Sequence, residues 1–309
     1  MFADAVIEGG GVKGIGLVGA IYEAEKRGYE WIRLAGASAG SIIAALLAAG
    51  YSAEELKKEI MNLDYSQFNK KEGIVRIPVL GSVLNLWINN GIYSGNYIEQ
   101  WTREKLLAKG VTKFQDLEKM LYIIASDITN GEMLVLPDDI KRFGISPGSL
   151  DVAKAVRMSC SIPYYFKPVK IIRKDGWKNT SNFIIDGGVL SNFPVWIFDR
   201  ERNPKWPTFG FRLTSEKTGQ PHKISNPVSM GFAIISTMLE AHDEKHIEEK
   251  NYVRTILVPT MGVKTTDFNI SKIKSEELFI SGVKAGEKFF KQWDFAKYAI
   301  KYRSTSKIV

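Results

Sequence analysis

Three observations predict an α/β fold with parallel strands. Residues 3–8 alternate and end in β-formers, break into Gly9-Gly10-Gly11-Val12-Lys13-Gly14, and then take helical spacing over 15–26 through Leu17, Ala20, Ile21 and Ala24. Residues 31–35 read as a second strand that runs into Gly36-Ala37-Ser38-Ala39-Gly40 and then into an Ala/Leu-rich run over 42–49, a composition that forms a helix easily. Beyond these, strand-like and helical runs alternate along the chain, as expected for helices packed on a parallel sheet.

The composition fits that class. The chain has 309 residues, 45% hydrophobic and 25% charged, ordinary for a globular protein that can bury a sizeable core. No internal repeat, low-complexity run or linker divides it. We therefore expect one domain over 1–309, with a motif-bearing core over about 1–215 and a C-terminal extension over about 216–309. Cys160 is the sole cysteine, which excludes an intramolecular disulfide and a Cys-rich zinc site. Its apolar helical surroundings read as those of a structural thiol.

No basic segment followed by an apolar run opens the chain, and no stretch reads as a transmembrane helix. The expected location is cytoplasmic. The formal net charge of +8 favours anionic partners in general, including a peripheral contact with a membrane surface, and does not choose among them. Its Lys and Arg residues are scattered without a nucleic-acid motif, so no nucleic-acid partner is expected. Oligomeric state is not legible.

In order along the chain, residues 53–63 predict a helix that Ser52 can cap. Residues 73–93 are apolar without clean periodicity, either irregular core or an apolar flap. Ser94 can cap a helix over 95–107, and residues 114–120 read as a short connecting helix. Residues 121–128 and 133–136 are strands joined at Asn130-Gly131, a hairpin signal. Residues 150–159 predict an amphipathic helix ended by Ser161-Ile162-Pro163. Strands are expected over 169–173 and 182–185, flanking a polar loop around 175–180. Further strands are expected at 208–213 and 253–258, and helices at 227–250 and 275–293. The basic tail 297–307 reads as surface.

Two motifs carry chemistry, and each has a plain alternative. Gly36-Ala37-Ser38-Ala39-Gly40 lies between strand and helix, where glycines leave room for a strained turn that pushes a serine hydroxyl above the strand end. The following helix aims its N-terminal dipole there. Equally, the pentad can be a small-residue turn where helix and sheet pack closely. The glycine loop over 9–14 matches the dinucleotide-binding spacing, but that fingerprint needs an acid at the tip of the second strand. Glu30 precedes that strand, and the Walker A spacing fails as well. The other use of those glycines is an oxyanion hole. In a parallel β-α-β unit the turns after both strands open at one edge, so free N–H groups of Gly10 and Gly11 could face Ser38.

A serine nucleophile needs a base. His222, His242 and His246 are the only histidines, and none sits at an obvious strand edge beside an acid. A metal pair of His242 and His246 lacks convincing further ligands. The alternative base is Asp186, at the end of an apolar strand and followed by Gly187 and Gly188. Aspartate is a weak base in water, so it would need a partly desolvated site.

Taken together these segments resemble the bacterial patatin-like phospholipases. The resemblance rests on Gly9-Gly10-Gly11-Val12-Lys13-Gly14, the Ser38 pentad, the segment from Ala155 to Pro168 containing Ser159-Cys160-Ser161-Ile162-Pro163, and Asp186-Gly187-Gly188 followed by Asn192-Phe193-Pro194, in the family's order. It implies a three-layer α/β/α fold with a mostly parallel central sheet. It also implies a Ser–Asp dyad, with Ser38 as nucleophile and Asp186 as base, and hydrolysis of phospholipid or other acyl-lipid esters without a metal or other cofactor. By position, Gly9, Gly10, Gly11 and Gly14 form the oxyanion hole. Gly36 and Gly40 shape the nucleophile elbow, and Gly187 and Gly188 support the dyad. Lys13 stands where the family more often has Arg, which keeps the charge for an anion contact and loses the bidentate fork. The expected function is a serine lipid acyl hydrolase of phospholipase A or lysophospholipase type. A Ser-His-Asp carboxylesterase and a catalytically silent lipid-binding module are the alternatives.

Overall fold

The computed structural model describes residues 1–69, 90–175, 178–199, 204–214, 249–265 and 267–303, with single positions at 224, 230, 233, 234 and 237. The three histidines, most of the apolar stretch 73–93 and most of the expected helix 227–250 lie outside the described residues.

The chain opens with β1 (Phe2–Ile7), α1 (Gly14–Lys26), β2 (Glu30–Ala37), α2 (Ala39–Ala48) and α3 (Ala53–Met61). After β3 (Gly91–Tyr93) come α4 (Asn96–Leu107), β4 (Met120–Asp127), β5 (Glu132–Leu136), α5 (Val152–Ser159), β6 (Tyr164–Phe166), β7 (Val169–Asp175) and β8 (Lys178–Asp186). The remainder supplies β9 (Thr208–Thr214), β10 (Thr255–Pro259), α6 (Lys272–Phe290) and α7 (Phe295–Tyr302). An 8-stranded sheet has the order β10-β9-β1-β2-β4-β8-β7, with β5 also paired to β4. β10, β9, β1, β2 and β4 run parallel, whereas β5, β7 and β8 pair antiparallel. The sheet is thus mixed, with a parallel centre. Among the described residues no helix is long and apolar enough to cross a membrane.

Alternation along the strands divides the core. On β1, Ala3, Ala5 and Ile7 face the larger apolar cluster built with α1, α2, α5 and α6, while Val6 faces a smaller one closed by Val195, Ile197 and Phe198. On β4, Leu121, Ile123 and Ala125 face the larger cluster and Ile124 the smaller. This is the two-residue period of a sheet buried on both sides. α6 reaches the same core by crossing α1 at close range. A Cβ on Gly282 would lie 1.8 Å from the Gly16 carbonyl oxygen, so the two backbones meet where no side chain intervenes. β10 and α6 therefore join the sheet and helix layer begun by the N-terminal half.

Local chemistry explains several boundaries. The Ser52 hydroxyl accepts from the Glu55 N–H while the Glu55 carboxylate accepts from the Ser52 N–H, a complete capping box for α3. Asp151, rather than Leu150, sets the start of α5, because its carboxylate accepts from the Lys154 N–H. Gly95, in the left-handed region at φ 69°, caps α4, while Ser94 Oγ accepts from Asn96 N–H just before it. The expected helix over 114–120 is only a 3-10 turn at Phe114–Asp116, since Met120 already enters β4. The expected polar loop around 175–180 is mostly strand, because cross-strand pairing carries β7 and β8 through it. The tail is not wholly surface: α7 buries Tyr298 beside Trp293.

Candidate active site

β2 delivers Ser38 to the carboxyl edge of the parallel strands. Leu34, Ala35 and Ala37 are fully buried and fix the strand. Ser38 then takes φ 49° and ψ −130° before α2 begins. A positive φ is unfavourable for a residue with a Cβ and persists only where the surroundings over-determine it. The strain lies on the serine. Gly36 and Gly40 keep ordinary φ and contribute by lacking a side chain: a Cβ on Gly36 would sit 2.4 Å from the Gly40 carbonyl oxygen, and one on Gly40 would sit 2.4 Å from the Ile7 oxygen.

Sheet register brings Asp186 to this turn. Ala37 pairs with Ile124, and the next residue of β4, Ala125, pairs with Asp186. Ser38 and Asp186 thus flank the same point of β4. The Ser38 hydroxyl donates to Asp186 Oδ2 at 2.7 Å. The other carboxylate oxygen, Oδ1, accepts from the Gly188 N–H at 2.8 Å. The Asp186 carbonyl accepts from Ser126 Oγ at 2.9 Å. A Cβ on Gly187 would lie 2.1 Å from the Ile124 carbonyl oxygen, so this glycine lets the aspartate loop pack directly on β4.

Asp186 is fully buried, and desolvation pushes its carboxyl up to about 7 against the opposing pull of the Ser38 and Gly188 hydrogen bonds. Burial disfavours the charged form. The result is a carboxyl that titrates near neutrality, where proton transfer in either direction is inexpensive.

The glycine loop faces the same edge, and its N–H groups are unequally available. The Gly9 N–H donates to the Asn192 carbonyl at 3.2 Å. The Gly14 N–H donates to the Gly11 carbonyl. Two of the four expected oxyanion donors are therefore already committed within the fold. Lys13 N–H and Val12 N–H are also taken, by Gly10 and Thr265 oxygens. Among the described residues, the N–H groups of Gly10 and Gly11 have no acceptor. Gly9 serves differently: a Cβ there would lie 2.9 Å from Ser38 Cβ, so its absence lets loop and elbow touch. Gly11 holds φ 56°, a value that glycine adopts at little cost. Lys13 ends the 3-10 turn before α1, half-buried and without an ion pair among the described residues.

A cavity of about 620 Å³, its solvent-facing part included, opens beside Ser38 and Gly11. Its walls are apolar, built chiefly by Ile15, Ile43, Ile60, Ile98, Trp101 and Phe268. Ile98 of α4 is part of this wall, and residues 74–89, most of the apolar stretch 73–93, lie outside the described residues. Cys160 lines the cavity wall as a buried thiol whose ionisation is pushed far up by desolvation, in keeping with a structural thiol. No group of His, Cys, Asp and Glu that could hold a metal occurs among the described residues.

Sequence reasoning passed over the residues that hold this arrangement in place. The Ser38 N–H donates to Ser159 Oγ at 2.8 Å, and that hydroxyl donates onward to the Ile124 carbonyl at 2.5 Å. Asp186 N–H donates to the Ser161 carbonyl and Gly187 N–H to the Ser159 carbonyl. The sequence signal available was a pair of serines, Ser159 and Ser161, at the end of an amphipathic helix and flanking Cys160.

Comparison with known proteins bears on the family and the fold. The family model described as patatin-like phospholipase matches residues 5–199. The chain is 42% identical over 298 residues to "Uncharacterized protein YqhO" of Bacillus subtilis (strain 168), covering 96% of this chain and 100% of that protein. It is 28% identical over 217 residues to "Probable lipid hydrolase 463L" of Invertebrate iridescent virus 6, covering 66% of each. Among solved structures it resembles VipD from Legionella pneumophila in fold, with a TM-score of 0.55 at 17% identity. That match covers 94% of this chain and 66% of VipD, so this chain spans slightly less than two thirds of the VipD chain.

Proposed function

The chain belongs to the patatin-like phospholipase family, and from that premise we propose that it is a serine lipid acyl hydrolase working through a Ser38–Asp186 dyad. The observation that carries this reading is the 2.7 Å hydrogen bond from Ser38 Oγ to Asp186 Oδ2, made by a serine at positive φ beside an apolar cavity. Ser38 Oγ attacks the ester carbonyl of a phospholipid or related acyl lipid while its proton passes to Asp186. The carbonyl oxygen, now anionic, receives hydrogen bonds from the Gly10 and Gly11 N–H groups, preorganised donors of the kind that stabilise such charge. Collapse breaks the ester bond, and Asp186 returns the proton to the leaving alcohol. Water, deprotonated by Asp186, then attacks the acyl-serine; the C–Oγ bond breaks, the fatty acid leaves and Asp186 returns the proton to Ser38 Oγ. The apolar walls hold the acyl chain, and Lys13 offers a charge to an anionic headgroup.

Direct contact between Ser38 and Asp186 leaves no space for an imidazole between them, which supports a dyad over a triad. Alanine replacement of His222, His242 or His246 is accordingly expected to leave ester hydrolysis within about twofold of the parent, measured with a short-chain ester. Loss of activity in one of them would restore the triad. The proposal as a whole is tested with a fluorophosphonate probe and mass spectrometry. Ser38 is expected to carry the label, and the purified protein to release free fatty acid from mixed phospholipid and neutral-lipid vesicles. An unlabelled Ser38 with no product would leave only a silent lipid-binding module.

A further inference from the structure

We propose that Ser159 is a positioning residue that holds the nucleophile turn in its strained geometry and, through its own backbone, fixes the dyad's second half. This rests on the reading of Ser38 and Asp186 just given. Among the described residues the Ser38 N–H has one acceptor, Ser159 Oγ at 2.8 Å, 121 residues along the chain. That bond fixes the plane of the Ala37–Ser38 peptide, and φ of Ser38 is measured from that plane. With the peptide pinned, φ stays at 49° and Oγ stays on Asp186. Without the pin, nothing in the local sequence holds a serine at positive φ, where the Cβ is crowded.

Ser159 is itself immobile. It is fully buried at the end of α5, and its hydroxyl has one orientation that serves both neighbours, accepting from Ser38 and donating to Ile124. Its carbonyl accepts from Gly187 N–H, and the Ser161 carbonyl two residues on accepts from Asp186 N–H. One short segment therefore grips both ends of the dyad from behind. Arg157 anchors that segment: its buried guanidinium donates to Ser161 Oγ, to the Ser94 carbonyl and to the Lys167 carbonyl. The arrangement also directs the Ser38 N–H away from the reacting carbonyl, so charge stabilisation falls to the glycine loop.

The test compares the parent with Ser159→Ala and Ser159→Cys, the latter keeping a side chain of similar shape with a much weaker acceptor. In Ser159→Ala, fluorophosphonate labelling of Ser38 and kcat for ester hydrolysis are expected to fall about tenfold to a hundredfold, the loss typical of a reacting group misplaced by about 1 Å. KM should stay within about twofold, because the cavity is untouched. The acid limb of the rate profile should move to higher pH, since the hydroxyl that helps hold the Asp186 carboxylate has turned away; simple destabilisation would not move it. Ser159→Cys should fall between the two, and it decides the matter if the alanine variant does not fold. Labelling at the parental rate with an unmoved acid limb would overturn the inference. If the parent itself is unlabelled, the dyad reading has failed instead. A crystal structure of the Ser159 variant then judges the positioning role by itself: Ser38 leaving positive φ supports it, and an unchanged Ser38 sinks it.

Discussion

Asp186→Asn is expected to lose about 10²–10⁴-fold in ester hydrolysis while the protein becomes more stable at neutral pH. The two effects share one cause. An asparagine side chain has nearly the shape of the carboxylate: its oxygen can still accept from Gly188 N–H and its NH2 can face Ser38 Oγ, so the turn survives. What disappears is the site that takes the Ser38 proton. In the parent, that site is a fully buried carboxyl pushed up to about 7 by desolvation. Activity of the parent should therefore climb through about pH 7 and level off above it, as Asp186 ionises. A profile flat from pH 5 to pH 9 would remove Asp186 from the role of base.

The stability side follows from the same raised value. In the unfolded chain the carboxyl titrates near its ordinary value of 3.8, and in the folded chain near 7. Below about pH 4 both states carry the proton and the folded state loses nothing. Between the two values the folded state binds a proton that the unfolded state has released, so stability falls as pH rises. Above about 7 the full penalty is present, on the order of a few kcal/mol at about 1.4 kcal/mol per unit. Asp186→Asn lacks this term. Its advantage in urea-unfolding free energy should be near zero at pH 4, grow through pH 7 and stay constant above. An advantage that shrinks with rising pH would contradict the burial account. The site thus holds a base that costs stability at the pH where it works, a trade-off expected at functional sites.

How much of this was legible in the sequence depends on how local each cause is. The turn at Ser38 is written in adjacent residues: an apolar strand, small residues and an Ala/Leu helix, and the structure has all three in that order. The Ser52 cap and the Asn130-Gly131 hairpin are local in the same way. Asp186 could be singled out because glycines at the end of an apolar strand are conspicuous. Its pairing with Ser38 depends on register through Ala125, which no local pattern encodes. The glycine loop shows the limit most clearly. The family resemblance implied Gly9, Gly10, Gly11 and Gly14 together as donors, yet the Asn192 carbonyl occupies the N–H of Gly9 and the Gly11 carbonyl occupies that of Gly14. For Gly9 the outcome is decided by a residue 183 positions away. Ser159 was hidden for the same reason. A buried serine at a helix end reads as filler until the strand that needs its oxygen is placed beside it.

The second large effect concerns a glycine that bears no unusual torsion. Gly40→Ala is expected to destabilise the protein by about 1–3 kcal/mol or more, the usual cost of forcing an extra carbon into a packed interior, and to depress hydrolysis beyond what that destabilisation explains. Gly40 lies in the first turn of α2 with its Cα against the end of β1. An added Cβ would meet the Ile7 oxygen at 2.4 Å, the Glu8 oxygen at 2.5 Å and the Glu8 carbonyl carbon at 2.9 Å. All three are backbone atoms, so no rotamer change can relieve the contact. Either α2 shifts away from β1, or the end of β1 shifts away from α2. Residues 7 and 8 lead directly into Gly9, Gly10 and Gly11, and α2 begins immediately after Ser38. Each escape therefore widens the gap between the glycine loop and the serine, the gap across which a carbonyl must touch both. Urea unfolding gives the stability term. Hydrolysis measured at temperatures where the variant is fully folded separates the geometric term, expected as a further loss of about tenfold or more since displacement of this kind acts directly on the attack geometry. A folded Gly40→Ala protein with parental activity would mean that loop and elbow need not touch, and that the second glycine of the pentad is there for packing alone.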